Sequence, residues 1–334
     1  MRLFHGIDLV AVARVRKSME NPHFCERVFS EEERAYLRTK SDPAPAAAAG
    51  FAAKEAFSKA LGIGLRGFEL KEVAVVHDFL GKPEYQLSGK AKKLCEQRAL
   101  HLELTLTHTS DTAAASAVGI GEEPYRTAVF DLDGTLLDSS EGVIASVQEA
   151  LRCQNLPPLP RETARRFIGP PTAYSFEHYA HLNPSQVAVA FEDFERYYNS
   201  TGIFEARVYD GIVPLLAHLR HKGLKLCVAT LKTETAAREV LKHFGLLPYF
   251  DCVCGNNAAN TRTKAELIAE CVRKTESSFK KTVLIGDTAF DLYGAEETGV
   301  DFIAAAYGFG EKDDFRKGNV VAVCDKPEQV AIYL

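Results

Sequence analysis

Hydrophobic and polar positions follow two different periods along this chain, and the change falls near residue 121. After it, short apolar runs at 127–131, 225–230, 250–254, 281–286 and 301–305 alternate with helical stretches, which predicts a parallel α/β sheet. Between Ser139 and Arg207 no run reads as a strand. Amphipathic windows at 141–152 and 185–198 predict a helical cap inserted at about 142–207, placed to close over the strand ends and exclude water. Before the change, Leu102, Leu104, Leu106 and His108 alternate with Glu103, Thr105 and Thr107, the mark of a strand with one buried face. Residues 113–120 supply its hairpin partner. Two prolines precede an alanine run at 41–50, predicting a loop into a helix that carries Phe51 to Leu61 and ends near Gly62 or Gly64. The expected organisation is an α+β domain at 1–121, a linker at 122–125 and an α/β domain at 126–334.

Composition narrows this picture only at its edges. The net charge of -5 points away from a nucleic-acid partner, while leaving room for a local basic patch. Eight cysteines are scattered with no Cys-x-x-Cys pair, which suits reduced thiols in a cytoplasm. Cys252 and Cys254 are too weak a pair to name as a metal site. No stretch approaches about 20 uninterrupted apolar residues, so no membrane partner is expected.

The run Thr127-Ala128-Val129-Phe130 leads into Asp131-Leu132-Asp133-Gly134-Thr135. Strand alternation aims residues i and i+2 the same way, so Asp131 and Asp133 are expected to converge on a hard cation such as Mg²⁺, and Gly134 turns the chain out beside the substrate. Asp131 then suits a nucleophile on phosphorus and Asp133 a general acid and base. Further on, a strand ends at Thr230, a hydroxyl donor for a phosphoryl oxygen. Lys264 opens a helix at 263–274, with Lys232 as a rival for its role, and Gly286-Asp287 ends another strand with Asp291 four residues on. Asp287 is expected as a third metal anchor and Asp291 as an orienting acid. Each part alone has a plainer reading, as turn, cap or solvated helix residue; their order and spacing carry the argument.

From about residue 126 to the C-terminus, these motifs resemble the haloacid dehalogenase superfamily. Val208-Tyr209-Asp210-Gly211 and Ala306-Tyr307-Gly308-Phe309-Gly310 resemble its phosphoglycolate-phosphatase-like branch. The resemblance implies a Rossmann-like core, a helical cap and Mg²⁺-dependent hydrolysis of a small phosphorylated metabolite. Leu231 stands where relatives commonly carry Asn, which weakens phosphoglycolate as the substrate. Substrate choice is expected at Arg165, Arg166 and the segment 167–171, for which a basic helix face followed by a loop is an equal reading.

In the first domain, Glu55 and Lys59 lie one helical turn apart, and spacing alone favours a surface salt bridge. His108 closes the apolar face of its strand and reads by default as a core histidine. The order Gly6-Ile7-Asp8, Arg27-Val28-Phe29-Ser30-Glu31-Glu32-Glu33, Phe51 to Gly62, Gly81-Lys82-Pro83, Leu87-Ser88-Gly89-Lys90-Ala91 and Leu106-Thr107-His108-Thr109 nevertheless resembles holo-acyl-carrier-protein synthase, the small-type 4'-phosphopantetheinyl transferase. That resemblance implies Asp8 and Glu55 on Mg²⁺ at the coenzyme A pyrophosphate and Lys59 at the leaving 3',5'-ADP. It further implies substrate contacts from Arg14, Lys82 and His108, and an acyl carrier protein as acceptor. Arg14, Arg16 and Lys17 are expected to face that acidic partner. Family members form trimers with sites between subunits, so a homotrimer is expected. Gly50 stands where relatives often carry Arg, and Thr107 and Thr112 replace common Ser and Tyr. A non-catalytic module that binds carrier protein or trimerises stays open as the alternative.

Overall fold

The computed structural model describes residues 1–168, 172–316 and 318–334. Its contacts divide the chain into two units, Met1–Pro124 and Tyr125–Leu334. Unit one runs β1 (Arg2–Ala11), α1 (Val12–Met19), α2 (Pro22–Val28), α3 (Glu31–Arg38), α4 (Ala44–Leu61), β2 (Val73–His77), β3 (Pro83–Leu87), α5 (Gly89–Gln97), β4 (His101–His108) and β5 (Thr112–Gly121). β5 lies between β1 and β4 in an antiparallel sheet, and β2 pairs with β3 in a separate ribbon. Along β1, Phe4, Gly6 and Val10 are buried while Leu3, His5, Ile7 and Leu9 are exposed, so period-two alternation lays one sheet face on α4 and leaves the other bare.

α4 begins earlier than expected. The alanine run at 44–49 is helix rather than loop, because Pro43 is the N-cap and Pro45 lies in the first turn, where a missing N–H costs no helical bond. Alanine then has the best intrinsic propensity, and Ala47, Ala48, Ala52, Ala53 and Ala56 are buried against the sheet. The helix ends at Gly62, whose φ of 73° closes it in the left-handed region.

Unit two runs β6 (Thr127–Phe130), β7 (Leu137–Asp138), α6 (Ser140–Cys153), α7 (Arg161–Arg165), α8 (Thr172–Tyr179), α9 (Pro184–Ser200), β8 (Arg207–Val208), α10 (Ile212–His221), β9 (Lys225–Thr233), α11 (Glu234–His243), β10 (Cys252–Asn256), α12 (Lys264–Lys274), β11 (Thr282–Gly286), α13 (Ala289–Thr298), β12 (Asp301–Ala305) and β13 (Val320–Cys324). The sheet is parallel throughout, in the order β10-β9-β6-β11-β12-β13. Its central strands β6 and β11 are buried on both faces, as apolar runs without alternation require. β6 lies between β9 and β11, so the chain reverses its direction of winding beside β6. A crevice is expected beyond the carboxyl ends of these three strands. β7 and β8 form a short antiparallel ribbon, and α6 to α9 between them make the cap around Ile144, Val147, Phe167, Phe176 and Phe194. No helix among the described residues is long and apolar enough to cross a membrane.

Candidate functional site

Two strand ends and the start of a helix in unit two deliver carboxylates to one place. Asp131 follows β6, Asp287 follows β11, and Asp291 lies in the first turn of α13; all three are buried, with carboxylate oxygens within 4.8 Å of one another. Lys264, the first residue of α12, reaches into this group. Its Nζ donates to Asp131 Oδ1 at 2.5 Å and to the Ala229 carbonyl at 2.8 Å, and lies 2.7 Å from Asp291 Oδ1. Burial pushes Asp131 up to about 7 even with Lys264 beside it, and pushes Asp287 well above the ordinary carboxylate range. Burial pulls the other way on Lys264, but Asp131 and Asp291 outweigh it and leave the ammonium raised.

Asp287 is fixed by neutral donors. Thr135 Oγ1 donates to it at 3.1 Å and the Phe309 backbone N–H at 2.8 Å. Gly134 has φ +86°, and a side chain there would collide with the Asp287 carboxylate. Asp291 also accepts from Thr288 N and Oγ1, at 3.0 and 2.7 Å.

Asp133 departs from its expected place. Its carboxylate lies 3.2 Å from Lys232 Nζ, outside the buried trio, and Asp291 stands where Asp133 was expected. β6 ends at Phe130, so strand alternation no longer governs residue 133. Lys232 also donates to the Tyr198 hydroxyl at 2.7 Å, linking Asp133 to helix α9 of the cap. Both rival lysines therefore stand among these carboxylates, Lys264 on Asp131 and Asp291 and Lys232 on Asp133. Thr230 is buried, yet β9 runs on to Thr233 instead of ending there, and the Thr230 hydroxyl accepts from Lys232 N at 3.2 Å. Sequence reasoning missed Thr135 and Tyr198. Thr135 adjoins Gly134 and had a signal, whereas nothing local marks Tyr198. A hollow of about 540 Å³ places Arg165, Arg166 and Ile168 opposite Thr288, Phe290 and Phe309. The remainder of the expected specificity segment, 169–171, lies outside the described residues.

In unit one the expected residues fall into separate groups. Lys59 Nζ donates to Asp8 Oδ1 at 2.8 Å, not to Glu55 as spacing alone favoured. Burial and the neighbouring Asp8 charge raise Glu55, with Lys59 and Arg14 opposing, so these four charges form one cluster. His108 instead lines a cavity of about 230 Å³ with His77, Gly81, Pro83 and Gly50. Lys82 donates to Glu103 at 2.7 Å on the surface. Arg16 is held by both oxygens of Asp42, at 2.8 and 2.7 Å, which leaves Arg14 and Lys17 as the exposed cations of the expected basic face.

Both units match known families. Residues 5–118 match the 4'-phosphopantetheinyl transferase superfamily, and residues 128–305 match the haloacid dehalogenase-like hydrolases. A holo-[acyl-carrier-protein] synthase of Caldanaerobacter subterraneus is 43% identical over 125 residues, covering 37% of this chain and 98% of that protein. A 5'-nucleotidase of Pseudomonas aeruginosa is 35% identical over 201 residues, covering 60% of this chain and 91% of that protein. A putative phosphatase structure from Clostridium difficile superposes with a TM-score of 0.60 at 30% identity, covering 63% of this chain and 99% of the other. The sheet and cap of unit two agree with that neighbour, and the chain belongs to two families at once, the 4'-phosphopantetheinyl transferase superfamily through unit one and the haloacid dehalogenase-like hydrolases through unit two.

Proposed function

We propose that unit two hydrolyses a small phosphomonoester through an aspartyl-phosphate intermediate, and that unit one transfers 4'-phosphopantetheine from coenzyme A to a serine of an acyl carrier protein. The observation that carries the first reading is the buried trio Asp131, Asp287 and Asp291 gathered around Lys264. Three carboxylates against one ammonium leave room for a divalent cation, and hard oxygen donors fit Mg²⁺. When bound, Mg²⁺ would neutralise charge on the transferring phosphoryl group.

The chain's own groups supply the remaining steps. An Asp131 oxygen forms the bond to phosphorus while the bond from phosphorus to the substrate oxygen breaks, and Asp133 gives that oxygen its proton. Water then attacks phosphorus, Asp133 takes the water proton, and the Asp131 carboxylate is released with inorganic phosphate. Lys264 holds Asp131 in place, while Lys232 positions Asp133 and joins it to the cap through Tyr198. Arg165 and Arg166 line the hollow beside Thr288 and Phe309, which supports them as the residues that select the leaving group. The relative named 5'-nucleotidase supports a nucleoside monophosphate as one substrate class to assay.

In unit one, two carboxylates and a lysine suit pyrophosphate cleavage: Asp8 and Glu55 would hold Mg²⁺, and Lys59 would offset charge on departing 3',5'-ADP. His108 and Lys82 stand apart from this cluster, and the outward sheet face exposes Leu3, Ile7, Leu9, Val118 and Ile120. Both features support a homo-oligomer, a trimer by family resemblance, in which neighbouring copies complete each site. One paired experiment tests the whole reading. Asp131→Asn should abolish phosphomonoester hydrolysis and leave carrier-protein modification intact, while Glu55→Ala should do the reverse, with the added mass read by mass spectrometry. Hydrolysis unchanged in the first variant, or normal conversion of apo-carrier protein in the second, removes that assignment.

A further inference from the structure

Four of the chain's eight cysteines gather at one place in unit two, away from the carboxylates. Cys227 of β9 is paired in register with Cys252 of β10, so the two side chains leave the sheet side by side. Cys254, two residues on, points the same way. Cys271 of α12 comes down onto them from above. The sulfurs of Cys227, Cys252 and Cys271 lie within 4.8 Å of one another. The Cys271 thiol also donates to the Val228 carbonyl at 3.5 Å, which seats it over the sheet beside the strand cysteines.

A core cysteine ordinarily behaves as a small apolar side chain. Packing alone does not require sulfurs from two strands and a helix to converge on one point. We propose that Cys227, Cys252, Cys254 and Cys271 form a binding site for one thiophilic d¹⁰ cation, with Zn²⁺ as the reference case.

Thiolate sulfur at about 2.3 Å from Zn²⁺ in a tetrahedron puts neighbouring sulfurs about 3.8 Å apart, so the sulfurs of Cys227, Cys252 and Cys271, within 4.8 Å of one another, need a contraction of about 1 Å or less. Sulfur-only ligation excludes the hard cations suited to the carboxylate trio. Each ligating thiol releases its proton to solvent on binding. Occupancy would tie α12 to β9 and β10. α12 opens with Lys264, and Thr230 lies three residues beyond Cys227, so the site would brace the elements that carry the phosphatase residues.

Cd²⁺ titration of the reduced full chain tests this. A sulfur-to-cadmium charge-transfer absorption should saturate at one equivalent, disappear in Cys227→Ala and Cys271→Ala, and persist in Cys25→Ser, which alters unit one. X-ray absorption on the wild-type chain loaded with Zn²⁺ gives an answer that needs no variant: a first shell of sulfur at about 2.3 Å is expected. Absence of a saturating band, a band that survives both alanine changes, or a first shell of oxygen or nitrogen overturns the proposal.

Discussion

Glu33→Ala strands a positive charge inside unit one, and the structure sets the scale of the damage. Lys54 is fully buried on α4, and its ammonium donates to Glu33 Oε2 at 2.8 Å, to the Leu70 carbonyl at 3.2 Å and to the Val73 carbonyl. Glu33 also accepts from Ser30 N at 2.8 Å and from Val75 N at 3.1 Å. Breaking a buried pair from one side costs about 3–5 kcal/mol. The orphaned Val75 amide adds about 1–3 kcal/mol, without strict additivity. A domain holds only about 5–15 kcal/mol in total, so unit one should lose most of its stability. With two units present, a single melting curve is not well defined. Peptide-resolved hydrogen exchange on the full chain in urea separates them, with unit two as the internal reference. Adding Lys54→Met removes the stranded charge and should recover much of the loss.

The pH dependence has a definite sign. Burial lowers Lys54 below its ordinary range, against the raising effect of Glu33. The unfolded chain therefore binds the extra proton between the lowered folded value and about 10.4, and stability rises with pH across that window. Without Glu33 the window extends to lower pH, so the variant should regain stability as pH rises. A loss below about 1 kcal/mol, or no recovery in the double variant, would refute the reasoning.

Lys232→Met should lower kcat for hydrolysis about 10- to 100-fold, part of the usual contribution of a positioned acid, because Asp133 loses its partner; steady-state kinetics on a generic phosphomonoester read it. Gly134→Ala combines a left-handed φ with a side chain pressed against Asp287, so phosphatase activity should collapse while carrier-protein modification in the same preparation is unchanged. Leu9→Glu puts a charge on the bare sheet face, and light scattering should show a smaller assembly than wild type. An unchanged mass would remove that face as the interface.

Much of unit two was legible because parallel strands buried on both faces leave unbroken apolar runs, and acids at their ends are conspicuous. β13 escaped notice because it is an edge strand: Val320 and Val321 are half-buried and Val323 is exposed. The start of α4 was misread because two prolines suggest a loop until the first turn is recognised as tolerating them. Convergence of distant side chains was the least legible property. Glu33 and Lys54 are 21 residues apart, and nothing in either local pattern announces the pair. Cys252 and Cys254 alone made a weak case, which changed only when sheet register and helix packing supplied Cys227 and Cys271.

Charge counting separates the roles of the two buried lysines. Lys54 meets one carboxylate and two carbonyls, a balanced set that calls for nothing further. Lys264 meets Asp131 and Asp291 with Asp287 close by, three carboxylates to one ammonium. The donors on Asp287, the Thr135 hydroxyl and the Phe309 amide, are neutral and leave the excess of two negative charges untouched. Each unbalanced ion taken from water costs several kcal/mol, so protons or a cation must make up the difference. On the proposed mechanism, a divalent cation would cancel two charges and leave Asp131 ionised for attack, whereas protons would quench it. The cysteine cluster differs in kind, since protonated thiols are neutral and can stay empty without this penalty. On that reading the carboxylate trio needs a cation whenever it works, and the thiols accept one only when it is present.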